Sequence, residues 1–193
     1  MTFGVLVPFM RKGDESTSVG LTIGAPTGSI YKLGSTGEHS YPIQTGGGSW
    51  TMSPSFNYSG RYQDLSWGGQ FAAIFSLNDN DLDYQRGSEW YLSAWLGWSL
   101  GDWVSTSLRA EWSRWGNISG GDRSLSLPFE SPAQDPWHQG GQRIDLGPGI
   151  NIKVPSWRGQ RFAIEALFPV WQDLNGPQLA TQWVLNAAWR MSF

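Results

Sequence analysis

Chemistry in this chain would have to come from few side chains. It has two histidines, His39 and His138, and no cysteine, which excludes a disulfide framework and cysteine-ligated zinc or iron–sulfur centres. His138 closes Asp135-Pro-Trp-His138, a spacing that could pair an acid with a base. A hydrolytic site also needs a nucleophile or a further carboxylate at a matching offset. None accompanies this pair, so both histidines read as loop residues and no catalytic residue is assigned. Asp79, Asp81 and Asp83 alternate like the start of a calcium loop, but the glycine and distal glutamate such a loop requires are missing. The run reads as an acidic loop, with no metal or cofactor assigned. Glu111 and Glu165 could hydrolyse a glycoside if they came within about 5–10 Å of each other. Arg109, Arg143 and Arg190 offer them counter-charges, so an ion-pair network is the simpler role.

The elements that must position these residues are strands. From Ser49 to Ser59, Trp50, Met52, Pro54, Phe56 and Tyr58 alternate with Ser, Thr and Asn. From Arg143 to Val154, Ile144, Leu146, Pro148, Ile150 and Ile152 alternate with Arg143, Asp145, Gly147, Gly149, Asn151 and Lys153. A helix would scatter both sets around its axis. The same pattern recurs over Thr2–Arg11, Ser16–Ala25, Leu65–Leu77, Trp90–Leu100, Val104–Trp115, Arg161–Trp171 and Leu179–Phe193. Most of these segments exceed the ordinary strand of about 5–6 residues and suit the about 9–11 that a membrane crossing needs. Short connections alternate with long ones (Pro26–Gly48, Asn78–Glu89, Gly116–Gln142, Gln172–Gln178), as in an up-and-down outer-membrane barrel with short periplasmic turns and long external loops.

Composition narrows the class. Charged residues are 15%, with 13 Trp and 25 Gly, against about 25% charged residues in soluble chains. A helical bundle or coiled coil is excluded, and a net charge of −3 gives no basic surface for nucleic acid. No apolar run is long enough for a transmembrane helix. In a barrel the apolar faces meet lipid and the polar faces line the lumen. That puts Leu96 against lipid and Arg109, Glu111, Arg143, Asp145, Lys153, Glu165 and Arg190 in the lumen. Trp50, Tyr58, Trp90, Trp98, Trp103, Trp112 and Trp115 fall near strand ends, where aromatics favour the lipid–water boundary. Trp189, Met191 and Phe193 share one face of the final segment and resemble the C-terminal signal read by the outer-membrane barrel-assembly machinery.

The expectation is therefore one all-β domain over residues 1–193, a nine-stranded antiparallel barrel wall in the bacterial outer membrane. Its partners would be the lipid bilayer, the assembly machinery and a small-molecule solute. An odd strand number, and a start without a basic n-region or cleavage site, suggest that N-terminal strands and a signal peptide precede it. A soluble Trp-rich glycoside hydrolase or carbohydrate-binding jelly roll, and a plugged structural barrel, are the alternatives.

Specific stretches carry a resemblance: Gly24-Ala-Pro-Thr-Gly-Ser-Ile30, Ser105-Thr-Ser-Leu-Arg109, Trp115-Gly-Asn-Ile118, Gly159-Gln-Arg161 and Trp171-Gln-Asp-Leu-Asn-Gly-Pro-Gln-Leu179. With the aromatic C-terminus they resemble a bacterial outer-membrane transporter family grouped with the meta-pathway phenol-degradation proteins. The resemblance implies a barrel of about twelve strands and transport of small solutes, hydrophobic or aromatic compounds or metal-related ones. Relatives with a Met- and His-rich N-terminal part suggest metal handling; this chain has four Met and two His.

Overall fold

Residues that alternate every second position form strands, and each long strand pairs with the next long strand in the chain. The computed structural model describes residues 1–34, 40–122, 131–154 and 160–191. Within them lie β1 (Thr2–Lys12), β2 (Glu15–Gly24), β3 (Thr51–Tyr62), β4 (Leu65–Ser76), β5 (Tyr84–Gln85), β6 (Glu89–Ser99), β7 (Val104–Trp115), β8 (Ser119–Gly120), β9 (Gly141–Val154), β10 (Gln160–Leu174) and β11 (Val184–Arg190). Nine of these form one antiparallel sheet, ordered β1-β2-β3-β4-β6-β7-β9-β10-β11, and β5 pairs with β8 separately. The order has no crossover, whereas a jelly roll needs Greek-key connections. Among the described residues β1 pairs only with β2, and β11 only with β10, so the sheet they form is open along both edges. Among the described residues no helix is long and apolar enough to cross a membrane.

The sheet curls. A single cavity of about 480 Å³ is lined from Ser66 on β4 to Ala188 on β11. On a flat sheet those strands would lie roughly 24 Å apart, at about 4.8 Å per step. The polar residues occupy the concave side. The apolar residues form continuous rows on the convex side, such as Leu96–Leu108–Pro148 and Leu92–Trp112–Ile144. Leu96 is 51% exposed on that side, while Ser93, three residues away, is 5% exposed on the other.

Two proline-linked irregularities interrupt the alternation. The register shifts between Pro8 and Met10 in β1 and between Pro169 and Trp171 in β10. A bulge inserts one residue and reverses the faces beyond it, and proline, lacking an N–H, is tolerated there. In β10 the convex position that strict alternation gives to Val170 therefore passes to Trp171, which pairs with Ile144. The last strand also differs from expectation. It begins at Val184 rather than Leu179, because Thr181 is held by a side chain: Gln172 Oε1 accepts from Thr181 N (3.0 Å) and Gln172 Nε2 donates to Thr181 O (2.8 Å). These bonds compete with strand pairing.

The long connections fold into a cap with its own small core of Tyr41, Tyr84, Ile118 and Leu82. Tyr41 and Tyr84 meet edge to face at 5.0 Å, and Asp122 N donates to the Tyr41 hydroxyl (3.1 Å). Gln44 accepts from Lys32 N (2.9 Å) and donates to Lys32 O (2.8 Å) and Ser40 O (3.0 Å). Asn80 donates to Gly47 O (2.8 Å) and accepts from Leu82 N (3.0 Å) and Tyr84 N (3.3 Å). The acidic run Asp79–Asp83 is thus a turn organised by Asn80.

On the concave side, Gly68 of β4 pairs with Trp95 of β6, and the indole covers the glycine so closely that a Cβ would overlap the ring. Its neighbour Gly69 faces the other way, with the nearest atom at an ordinary 3.5 Å from a built Cβ. Gly68→Val should destabilise the folded protein by about 1–3 kcal/mol, the usual cost of overpacking, and Gly69→Val should be near neutral. Denaturant midpoints of the two variants measure this; equal midpoints would contradict the packing of Trp95 on Gly68.

Candidate functional site, the concave face and its two mouths

The concave face is built from register. Across β6, β7 and β9 the rows run Tyr91–Ser113–Arg143, Ser93–Glu111–Asp145 and Trp95–Arg109–Gly147. Gly147 leaves the middle of β9 bare, where a Cβ would collide with the Ala166 carbonyl. Arg109 reaches over that gap to β10. Its Nε donates to Glu165 Oε1 at 2.7 Å, its Nη1 to Ser93 Oγ at 3.3 Å, and its guanidinium lies 5.3 Å from the centroid of Trp95. Cation–π attraction strengthens as water is excluded. Asn186 of β11 donates to the other oxygen of Glu165 (3.3 Å), so this one network ties β6, β7, β10 and β11 together.

Arg143 forms a second pair nearer the long-loop end. Its Nε donates to Asp145 Oδ2 (2.7 Å) and its Nη1 to Thr181 Oγ1 (2.7 Å). Asp145 is fully buried, 0% exposed, which a carboxylate tolerates only with a charge partner. Glu111 lies beside both networks, opposite Ser93 on one side and Asp145 on the other.

At the short-turn mouth the arrangement differs. Lys153, Arg161 and Arg190 lie directly opposite one another on β9, β10 and β11. Like charges in register repel, and none of the three makes an ion pair among the described residues. Lys153 and Arg161 rim a cavity of about 540 Å³ that also includes Arg61, Asp64 and Asp102, and Arg190 lies beside it opposite Arg161.

Of the residues assigned to the lumen from sequence, Arg109 and Glu165 are brought together, as are Arg143 and Asp145. Lys153 and Arg190 join through Arg161, which the sequence reading left out. Trp189 stacks on Phe162 at 6.3 Å and donates to Gln160 (3.0 Å), and Met191 is exposed. Phe193 and His39 lie outside the described residues. His138 and Asp135 do meet (3.1 Å), but Asp135 also caps the turn by accepting from Trp137 N (2.9 Å). Among the described residues no group of three or more acidic or histidine side chains converges as for a metal ion. Trp115 corrects the boundary-aromatic reading: its parity with Arg109 and Glu111 turns it onto the concave side, where it lines a cavity under the cap. Glu89 and Tyr91, hydrogen-bonded to each other, line the same cavity. Parity with Ser93 could have placed both, but nothing in the sequence tied them to the cap.

The fold and site define a class: an up-and-down antiparallel sheet with an exposed apolar outer face and a charged inner face. The chain belongs to the family described as "Putative MetA-pathway of phenol degradation", whose model matches residues 1–124. That match takes in Gly24–Ile30, Ser105–Arg109 and Trp115–Ile118; the stretches from Gly159 onward lie beyond it. No curated protein matches the chain.

Burial in the cap pushes the Tyr41 and Tyr84 phenols above their ordinary value of 10.0, against the opposing hydrogen bonds from Asp122 N at Tyr41 and with Asn80 at Tyr84. The unfolded cap would ionise near pH 10, so its stability is full below that pH and is lost as pH rises beyond it. Absorbance titration of the six tyrosines should show a late component that Tyr84→Phe diminishes. Near-ultraviolet dichroism should fall before the far-ultraviolet sheet signal. Uniform titration near 10 would contradict the buried cap.

Proposed function

We propose that this chain forms the wall of an outer-membrane β-barrel that carries small solutes, with aromatic compounds the class suggested by the family's description. The observation that carries the reading is the sorting of the two faces. Leucine, isoleucine and tryptophan side chains cover the convex side and stay exposed, while ion pairs and serines fill the concave side. A soluble monomer seldom exposes an apolar patch beyond about 300–600 Å², and a row of exposed leucines spanning several strands has a natural neighbour in lipid. The strand lengths and the segregation of short turns from long connections support the same reading. In lipid the edges of β1 and β11 must be paired, since each unsatisfied backbone group costs several kcal/mol. Closure by further strands of the same barrel, to about twelve in all, meets that need.

The lipid-facing assignment is tested by two arginine substitutions. Leu96→Arg should block assembly, because arginine at mid-bilayer costs roughly 2–4 kcal/mol on a barrel exterior. Gln70→Arg, on the concave side opposite Ser93, should assemble. Heat-modifiable gel migration scores both, and equal tolerance would sink the assignment.

Conduction is tested by charge. The Arg109 and Glu165 charges cancel, whereas Lys153, Arg161 and Arg190 have no such partners among the described residues. In planar bilayers the triple glutamine variant of those three should shift the reversal potential toward cations. Arg109→Gln combined with Glu165→Gln should leave it in place. Absence of conductance, or a selectivity indifferent to all three mouth cations, would count against a conduit.

A further inference from the structure

The cavity under the cap, about 370 Å³ in volume and open on one side, is bounded by the tops of β6 and β7 and by the folded connections. That volume sits at the lower end of the about 300–1,000 Å³ typical of small-molecule sites, a size for one ring rather than several. Its apolar wall is Tyr41, Ile118 and Trp115. Tyr41 and Ile118 are held in place by the cap core, not by the sheet.

The polar lining is mostly acceptor. Gln139 spends its amide hydrogens on Pro132 O (3.2 Å) and Asp135 O (2.8 Å). Gln178 spends its own on Gly140 O (2.6 Å) and Asn175 O (3.2 Å). Each therefore retains only a carbonyl oxygen to offer. Glu89 accepts from Tyr91 and keeps acceptor capacity, since a carboxylate has about four lone-pair sites. Arg86 is the cationic donor in the lining; its Nη2 contacts Gln44 O (3.4 Å) and Gly46 O (3.5 Å) at long range, and its other nitrogens remain. A hydroxyl can accept from Arg86 and donate to Glu89 or a glutamine carbonyl. A ligand carboxylate would have no hydrogen to give these acceptors and would meet the charge of Glu89. A hydrocarbon would leave them unsatisfied.

We propose that this cavity binds a neutral monocyclic aromatic alcohol, its ring against Trp115 and Tyr41 and its hydroxyl among Arg86, Glu89 and the glutamine carbonyls. The proposal rests on the conduit reading only in making this site the vestibule of the lumen; binding itself requires no conduction.

The test is calorimetric titration of the full chain in detergent with phenol, toluene and benzoate, counting only saturable heat. Phenol should bind saturably, and toluene and benzoate at least tenfold more weakly. Trp115→Ala should weaken phenol at least tenfold. Ile118→Trp, which fills the cavity from the cap side, should do the same if Trp115→Ala fails to fold. Glu89→Gln should narrow the discrimination against benzoate, and Trp98→Ala, on the exposed convex side outside the cavity, should change nothing. Undiminished phenol binding in folded Ile118→Trp, or benzoate bound as tightly as phenol, would overturn the proposal. Ion conductance of the same preparations separates the two readings. A conducting protein without saturable phenol binding overturns this site alone, and saturable binding without conductance overturns the conduit alone.

Discussion

The side chains of the sheet owe their surroundings to one constraint, the antiparallel register that runs without a slip from β2 through β9. Side chains alternate every second residue, so a one-residue slip in any ladder would exchange the two faces of that strand. Leu96 would turn inward and Arg109 outward together. The two places where the register does shift are beside Pro8 and Pro169, in β1 and β10, outside the central strands that hold the buried charges. The bulge in β10 re-aims Trp171 without disturbing Glu165, which lies on the near side of it.

From that register follows a graded interior. In the middle of the concave face opposite charges are paired, Arg109 with Glu165 and Arg143 with Asp145, with Glu111 between the two pairs. The short-turn end carries three cations in line, and the cap end carries oxygen acceptors beside aromatic rings. Pairing is what makes the middle tolerable: a buried charge stripped of its partner typically costs about 3–5 kcal/mol. The exposed cations at the mouth have no comparable requirement, because water solvates them.

Alternation made the sheet legible in the sequence. All nine sheet strands, and the faces of Leu96, Arg109, Glu111 and Asp145, follow from period two alone. Pairings across strands were less accessible. That Arg109 would choose Glu165 over Glu111, or that Arg161 would lie between Lys153 and Arg190, depends on inter-strand register, which one strand's pattern does not contain. Trp115 was read from its position near a strand end, when its parity gave the better answer. The cap was least legible of all. The pairing of Tyr84 with Gly120 and the contact between Tyr41 and Tyr84 join distant connections that have no periodicity, and Gly- and Asp-rich composition reads as solvated loop whether or not it packs.

The cap is stitched from three separate connections, which bears on how such a surface can diversify. Loops that stand alone can lengthen, shorten or drift independently of one another. Here Asn80 reaches back to Gly47, Tyr41 receives Asp122, and Tyr84 pairs with Gly120. An insertion in any one connection therefore disturbs bonds held by the other two. Variation in this part of the molecule would have to be inherited in blocks, with compensating changes far apart in sequence, so descendants that acquire a different external face should differ in all three connections at once.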